Sequence, residues 1–585
     1  MAFGWVDYLV CIVVLLISSS IGVYYKLTGD KQRTNKEYLL ANYNANMWAV
    51  GFSLMASFMS SITLLGVSSE MYTYGLQFIV INISYGIFTP IAAHLYLPVF
   101  FKLKTTSAYE YLEKRFGVTT RLIVSIAFCI QMVLYMGIVV HAPALALEAV
   151  TNIDHVYAVL LIGIVCTFYA GIGGMKAVLM TDVLQSFLMF AAVLSIAITA
   201  MSSIGFKEIL SIAEQHGRLE ILNFDPDPTV RHTWWSLIIG GGFTFLSLYA
   251  VNQAQVQRYL SVKDLKTAQK SLYLNWPILS CLSVTTCFSG LCLFAKYYQC
   301  DPILTKRIAS QDQLMPLYVL DTMGNIYGLS GLFVSGIFSG SLSSVSSALN
   351  SLSAVTVEDY VKPAFKRIKG HNLNEPRVVL WTKIIAAIYG VCCLAIAFLA
   401  KYMGAVLQAA LTIMGVVGGP ALATFTLGMF IPIGNEVGSI AGLILGLTLG
   451  FWMGFGGPKA PLQKLPTWSS KEGCEEFCIE LDEFTNSTTN VPPSSDYLYV
   501  YRLSYQWYIV ISFTVTLLTG ILFSWAFIKI KNKIKKIDTS PTVDPDLFIP
   551  PIAKYLKKKL NKIQINDVES RSSGVTLKDV SPSKI

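Results

Sequence analysis

Charged side chains are scarce in this sequence. Asp, Glu, Lys and Arg make up 14% of its 585 residues, whereas soluble domains carry about 25%. Hydrophobic residues reach 54%, and the mean hydropathy is +0.55. Apolar runs of about 20 residues, the length that crosses a bilayer, recur along most of the chain. This pattern excludes a soluble protein with a single anchor and predicts an all-α polytopic membrane protein.

The sequence also lacks the motifs of enzymes and nucleotide-binding proteins. It has no His-rich or Cys-rich cluster, no nucleophile elbow and no loop long enough for a catalytic domain. The glycine triplet Gly240–Gly242 is not followed by the Lys and Ser or Thr of a phosphate-binding loop. The net charge of +9 comes from short loops and the tail, which argues against a nucleic-acid partner. An enzyme is not expected.

Cysteine spacing gives no zinc site. Most of the 11 cysteines stand alone in apolar segments, where burial as small hydrophobic residues is the default. Cys300, Cys474 and Cys478 lie in polar stretches predicted to be extracellular. The sequence predicts one disulfide among these three and leaves the pairing open.

Hydropathy predicts about 13 membrane spans in residues 1–530. They lie near 5–26, 45–67, 76–101, 120–149, 155–173, 181–203, 234–253, 271–297, 329–353, 378–400, 403–432, 436–455 and 507–529. No basic residue precedes the first run and no cleavage site follows it, so we expect a retained span rather than a signal peptide. Residues 531–585 are basic and are predicted to form a disordered cytoplasmic tail.

Loop charges alternate along this topology. Connections that carry residues such as Arg258 and Lys366 are basic and are predicted to be cytoplasmic. The opposite set, with Glu70 and the loop 456–506, is poorer in basic residues and is predicted to be extracellular. We therefore expect the N-terminus outside the cell and the C-terminus inside. Asn486 begins a glycosylation sequon in the 456–506 loop, which agrees with this orientation.

Two predicted spans are interrupted at mid-membrane depth. The first carries hydroxyl and small residues between Ser57 and Ser69, and the second carries Gly240–Gly242. Unwound backbone is tolerated at this depth only where it lines a cavity, and close helix packing at glycines is the alternative. The second segment lies five spans after the first. This spacing predicts inverted repeats over about 45–203 and 234–432, with substrate and cation at the breaks.

A third feature is the hydroxyl-rich stretch Ser339–Ser347 in the ninth span. Hard cations take oxygen ligands, so neighbouring hydroxyls on one helix face predict a sodium site. Serines that join helices by hydrogen bonds are the alternative.

At these residues the sequence resembles the solute:sodium symporter family, and the likeness runs from the first span to the thirteenth. The motifs are Ala56–Ser60 with Ser69–Gly75, Gly171–Val178 with Thr181–Gln185, Val251–Tyr259, and Ser339–Asp359. The residues in these motifs are most similar to those of the branch of sodium-coupled monocarboxylate, multivitamin and iodide transporters. The resemblance implies a leucine-transporter-like fold, a five-plus-five inverted repeat, alternating access and co-transported sodium.

The resemblance also implies sodium ligands. The principal site would use the backbone carbonyls of Ala56, Met59 and Gly340 and the hydroxyls of Ser343 and Ser344.

A second position is implied at the start of the sixth span. Asp182 and Gln185 match an acidic position that the family is thought to use for a further sodium or its inward release. The alternative is that Asp182 caps the helix, and Lys176 is a candidate partner for it.

The substrate is expected between the two broken helices. Phe58, Thr63, Tyr135 and Phe245 would contact it, and core packing of these aromatic residues is the alternative. Iodide carriers have glutamine and tryptophan at the positions of Thr63 and Phe245, so the resemblance favours a carboxylate over iodide.

These observations predict a plasma-membrane symporter that imports small organic anions together with sodium. Monocarboxylates are the first predicted substrates. The alternative substrates are vitamins such as biotin and pantothenate, followed by iodide-like anions. The alternative class is a solute-gated channel or a solute sensor on a transporter scaffold. The terminal residues Ser583–Ile585 match a PDZ ligand, with plain disorder as the alternative, and the basic tail is suited to contact with anionic lipid.

Overall fold

The computed structural model describes residues 3–28, 35–103, 106–151, 153–324, 326–402, 404–461, 463–475, 485–486, 496–535 and 544–572. Its α-helices are α1 Trp5–Leu27, α2 Asn35–Leu40, α3 Met47–Ala56, α4 Ser61–Tyr74, α5 Ile81–Ile91, α6 Leu97–Leu103, α7 Glu110–Arg115, α8 Val118–Thr151, α9 His155–Gly173, α10 Met175–Ser203, α11 Phe206–Gln215, α12 Gly241–Tyr249, α13 Gln253–Tyr259, α14 Leu265–Tyr297, α15 Leu314–Met323, α16 Leu329–Thr356, α17 Lys362–Lys369, α18 Glu375–Ala400, α19 Val406–Phe430, α20 Glu436–Phe455, α21 Lys471–Glu475, α22 Tyr499–Arg502, α23 Gln506–Lys535 and α24 Pro550–Ser572.

Short 3₁₀ and π segments join some of these helices. The 3₁₀ segments are Ala41–Tyr43, Leu76–Val80, Gln311–Gln313 and Pro545–Leu547, and the π segments are Ala92–Tyr96, Ser236–Gly240 and Val357–Val361. Two short strands, β1 Trp468–Ser469 and β2 Thr485–Asn486, pair antiparallel with Trp468 opposite Asn486.

Helices dominate because a backbone inside a bilayer must satisfy its polar groups internally. Ten continuous helical segments are long and apolar enough to cross a membrane, and two bent pairs raise the number to 12 within the described residues. Helix α9 contains a shorter apolar stretch, His155–Thr167. The predicted all-helical, multi-span architecture is confirmed, and the count of 13 stays a prediction.

The first predicted break is present. Helices α3 and α4 meet at an angle of 56°, and residues 57–60 between them are not α-helical. The hydroxyl of Ser60 accepts a hydrogen bond from Ile62 N at 3.2 Å, so the polar residue that interrupts the span also caps the helix that follows.

The second break lies about ten residues later than the sequence predicted. Helices α12 and α13 meet at 61° after Tyr249, and Asn252 caps α13 by accepting from Ala254 N at 2.9 Å. The glycine triplet instead allows close packing, since a Cβ on Gly240 would lie 2.4 Å from Gln506 O and one on Gly242 2.1 Å from the Phe88 ring. Close packing explains these glycines.

The two ends of the helical bundle are distinct. At one end, which we call the disulfide face, Cys300 is bonded to Cys474, and Cys300 pairs with Ser469 in an isolated β-bridge. Cys478 lies outside the described residues. Asn486 belongs to β2, and the rest of its sequon lies outside the described residues. We call the opposite end the tail face.

The tail differs from the predicted disorder over residues 544–572. Leu547, Phe548 and Ile549 are buried, with Phe548 at 0% exposure, and Ile549 N donates to Met429 O at 3.2 Å. The guanidinium of Arg115 lies 5.0 Å from the centre of the Phe548 ring. Burial of these apolar side chains stabilises the tail against the bundle, whereas the composition of the whole tail predicted disorder. The terminal residues Ser583–Ile585 lie outside the described part of the chain.

Candidate sodium and substrate sites

Helix α16 lies against the break between α3 and α4. The hydroxyl of Ser343 donates to Ala56 O at 2.6 Å and to Gly340 O at 3.2 Å. The hydroxyl of Ser344 lies 3.5 Å from the same Ala56 oxygen. Met59 lies in the break and on the wall of the cavity described below. The structure therefore brings four of the five predicted sodium ligands into one cluster and places Met59 in the adjoining break.

Because Gly340 has no side chain, α16 can pack closely against the start of α4. A Cβ on Gly340 would lie 2.9 Å from Ser61 N and 3.1 Å from the carbonyl carbon of Ser60, which is closer than packed atoms tolerate. On the next residue, the Ser341 hydroxyl donates to Ser61 Oγ at 2.7 Å and to Val139 O at 3.0 Å. The start of α4 is thus held by both α16 and α8.

The cluster has the chemistry that a sodium ion requires. Hydroxyl and carbonyl oxygens are hard ligands suited to a hard cation. The same hydroxyls join the two helices, so the packing alternative and the ion-binding prediction describe the same side chains. A cation at this position would bridge the break and α16.

Asp182 forms a second buried polar cluster closer to the tail face. Its Oδ2 accepts from Ser53 Oγ at 2.5 Å and lies 3.3 Å from Arg258 Nη2. Arg258 Nε also donates to Ser53 Oγ at 2.7 Å, and its Nη2 donates to Ser347 Oγ. The Asp182 and Arg258 side chains are 0% and 1% exposed. A buried pair of this kind is stable only because its partners are hydrogen-bonded.

Two predictions about Asp182 differ from the structure. Helix α10 begins at Met175, so Asp182 lies two turns inside the helix and does not cap it. Its ionic partner is Arg258 rather than Lys176.

Gln185, one turn further along α10, is fully buried. Neither of its side-chain polar atoms, nor Asp182 Oδ1, has a hydrogen-bond partner among the described residues. Buried polar atoms of this kind call for water or an ion.

The role of Arg258 was not predicted, because the sequence indicated a basic cytoplasmic loop at this position. The arginine is buried in α13. The available signal was its setting, because it follows the alternating glutamines Gln253, Gln255 and Gln257. These side chains are buried too, and a run of alternating amides is unusual for a solvated loop.

All four predicted substrate residues line one cavity. Phe58 and Thr63 come from the first broken segment, Tyr135 from α8 and Phe245 from α12, and the cavity volume is about 90 Å³. Phe245 stacks on Tyr249 with ring centres 4.6 Å apart. The structure places these residues together, and their contact with substrate stays a prediction.

Further polar groups that the sequence did not indicate also face this cavity. They are Tyr85, Thr244, Tyr249 and Ser283. No Lys, Arg, His, Asp or Glu occurs among the described lining residues. The cavity does adjoin the N-terminal turn of α4, since Ile62 and Thr63 are on its wall. A helix N-terminus carries a partial positive charge, so the helix dipole favours a negative over a positive group on this side of the cavity.

Comparison with known proteins supports the same reading. Residues 38–446 match the model of the sodium:solute symporter family. A Drosophila melanogaster protein whose name assigns it provisionally to sodium-dependent multivitamin transport is 48% identical over 97% of this chain and 95% of its own length. The human sodium-coupled monocarboxylate transporter 1 is 42% identical over 88% of this chain and 86% of its own length.

A solved structure shares the fold. It is the substrate-bound, outward-open state of a Na⁺-coupled sialic acid symporter, with a TM-score of 0.74 and 25% identity. The match covers 90% of this chain and 98% of that one. The leucine-transporter-like architecture and the dependence on sodium are thereby confirmed, and the chain belongs to the sodium:solute symporter family.

Proposed function

We propose that this protein imports small organic monocarboxylates together with sodium, by alternating access, across the plasma membrane. The observation that carries the proposal is the small cavity between the two broken helices, beside the Ser343 cluster. Its volume of about 90 Å³ is well below the roughly 300–1,000 Å³ of pockets for drug-sized ligands. Aromatic walls suit a short carbon chain, and hydroxyl groups with a helix N-terminus suit a carboxylate.

Sodium has a direct structural role in this mechanism. An ion held by Ala56 O and the hydroxyls of Ser343 and Ser344 would tie the break to α16 and fix the start of α4. The start of α4 lines the substrate cavity, so sodium binding would complete the anion site before substrate enters. The Asp182 and Gln185 cluster supports a second cation site or a release path toward the tail face.

The driving force is sufficient for uphill uptake. One charge moving through 100 mV releases about 2.3 kcal/mol, and a tenfold sodium gradient adds about 1.4 kcal/mol. Two sodium ions with one monovalent anion carry a net positive charge inward. We therefore expect an inward current when substrate is added.

Vitamin carboxylates are the second candidate substrates. The Drosophila relative supports them, and so does a rabbit sodium-dependent multivitamin transporter that is 41% identical over 88% of this chain. Biotin and pantothenate are larger than the present cavity, so this function requires the cavity to expand around Phe58 and Phe245.

One uptake screen separates these candidates. Labelled lactate, butyrate, nicotinate, biotin, pantothenate and iodide are offered to cells that express the protein, in sodium buffer and in choline buffer. Saturable, sodium-dependent uptake of the short monocarboxylates is expected. Preference for biotin and pantothenate would replace the first proposal by the second, and uptake that does not saturate would indicate a channel. Binding without uptake would indicate a sensor.

We also propose the orientation that the loop charges predicted. The N-terminus and the disulfide face would be extracellular, and the tail face cytoplasmic. Asn486 would then be available for glycosylation, the basic tail would face anionic lipid, and Ser583–Ile585 would be available to a PDZ domain.

A further inference from the structure

A pocket lined by basic side chains lies on the disulfide face. It is next to the cavity lined by Phe58, Thr63, Tyr135 and Phe245, which we call the central cavity. The lining of the basic pocket includes Arg231, Lys459 and Arg502, which come from three separate stretches of chain. None of the described lining residues is acidic. The volume is about 20 Å³, which leaves room for one small polar group. We call this the vestibular pocket, and its charge suits an anionic head group.

Aromatic rings hold two of these cations in place. Lys459 Nζ lies 5.1 Å and 5.0 Å from the ring centres of Tyr501 and Tyr508, and the Arg231 guanidinium lies 5.0 Å from that of Tyr505. Ring faces attract cations without neutralising them, so the rings leave the charge of Lys459 uncompensated, whereas Arg231 is also paired with the Glu70 carboxylate. Lys459 Nζ donates to Met453 O, and an ammonium has two further protons to donate. Burial lowers the pKa of the Lys459 amine to about 8, so most of it is charged at pH 7.

Arg231 links the vestibular pocket to the central cavity. Its Nη2 donates to Glu70 Oε2 at 3.0 Å, and its Nη1 donates to Gln408 Oε1 at 2.9 Å. Gln408 belongs to α19, where the adjacent Leu407 lines the central cavity. The Arg231 and Glu70 side chains are only 7% and 5% exposed. Arg231 therefore lines the vestibular pocket and, through Gln408, contacts the stretch of α19 that also lines the central cavity.

We propose that the vestibular pocket is an entry site for the carboxylate of the transported anion, and that Arg231 passes it inward by exchanging Glu70 for the substrate. The inference rests on the proposed uptake of organic anions. The central cavity has no basic side chain among its described lining residues. An anion would therefore contact basic side chains in the vestibular pocket before it reaches the central cavity. A neutral solute of equal size gains no such attraction, and the pocket therefore selects for negative charge.

Neutral variants at the outer edge of the pocket test the entry site. Lys459→Gln and Arg502→Gln leave the buried Glu70 pair intact. In the double variant we expect the KM for labelled L-lactate to rise about tenfold, with unchanged sodium half-saturation and surface expression. Lys464→Gln is the matched control, since Lys464 is exposed on the same stretch of chain and outside the pocket lining.

A binding measurement on the purified full-length protein adds a second readout. The wild type should bind labelled L-lactate weakly in sodium-free buffer, and the Lys459→Gln, Arg502→Gln variant should lose this component. Normal wild-type uptake together with a double-variant KM within about twofold of the wild type would overturn the entry site and leave the proposed function standing. Failure of the wild type to take up any anion with sodium would refute the proposed function itself.

The exchange at Arg231 needs its own variant. Glu70→Gln combined with Arg231→Gln replaces the ion pair by two amides and leaves no buried charge unpaired. Surface expression is expected to be retained, and the KM for L-lactate should rise at least as much as in the outer variants. An unchanged KM in this variant would remove Arg231 from the substrate path.

Discussion

Replacing Ser343 by alanine removes one oxygen from the proposed sodium site, together with the hydrogen bond that this hydroxyl donates to Ala56 O. Ser343 Oγ lies 2.6 Å from Ala56 O and 3.2 Å from Gly340 O, so a cation that bridges these carbonyls would contact it directly. An interaction between a polar group and a charge contributes about 1.5–3 kcal/mol. The sodium concentration for half-maximal uptake should therefore rise by about 10- to 150-fold.

The assay is uptake of labelled L-lactate while sodium is replaced stepwise by choline at constant ionic strength. Ser353→Ala is the matched control, because this buried serine lies on the same helix and donates only to Asn350 O, at 3.0 Å. Surface biotinylation corrects for expression. If Ser343→Ala shows normal expression and the same sodium dependence as Ser353→Ala, the serines only pack the helices and the proposed site is wrong.

Three further predictions concern other parts of the molecule. Asp182→Asn breaks a buried pair at a cost of about 3–5 kcal/mol, so the purified protein should melt at a lower temperature and lose uptake; an unchanged melting temperature would contradict this. Phe548→Ala removes a fully buried ring worth about 3–5 kcal/mol of local packing, so trypsin should cut the tail faster than in Tyr555→Ala, a change at an exposed site on α24. In a Cys478→Ser background, Cys300→Ser should free the thiol of Cys474, which is 0% exposed in the fold; maleimide added after denaturation without reductant should therefore label this thiol, which stays unlabelled when Cys300 is present, and equal labelling of Cys474 in the two proteins would contradict the pairing.

The sequence was informative where a local signal and the tertiary role coincide. The hydroxyl groups of Ser339–Ser347 and the polar residues between Ser57 and Ser69 stand out within apolar runs. At mid-membrane depth such residues either line a cavity or ion site or join helices by hydrogen bonds. The structure accordingly places Ser343 against Ala56. It also gathers the substrate residues around one cavity, but their selection came from family resemblance rather than from local pattern.

Features that depend on distant partners were not predictable. The burial of Arg258 is decided by Asp182, 76 residues away in the chain, and the burial of Phe548 by the end of α19 and by Arg115. The glycine triplet is a different case, since glycine serves both helix breaks and close packing. Only the position of Gln506 and Phe88 beside the triplet decides between these uses.

The broken pair α3–α4 contributes residues to the Asp182 cluster, the Ser343 cluster, the cavity and the Glu70–Arg231 pair, and the proposed coupling of sodium and substrate rests on this arrangement. Ser53 contacts Asp182, Ala56 contacts Ser343, Thr63 lines the cavity and Glu70 pairs with Arg231. These contacts are distributed over both halves of the broken span, from Ser53 on α3 to Glu70 on α4. The proposed cation contacts lie on α3 and the proposed substrate contacts on α4, so a change in the angle at residues 57–60 would move the two sets relative to each other. If sodium binds at Ala56 and the anion at Thr63, both ligands act on the same broken segment, which is the physical condition for coupled binding.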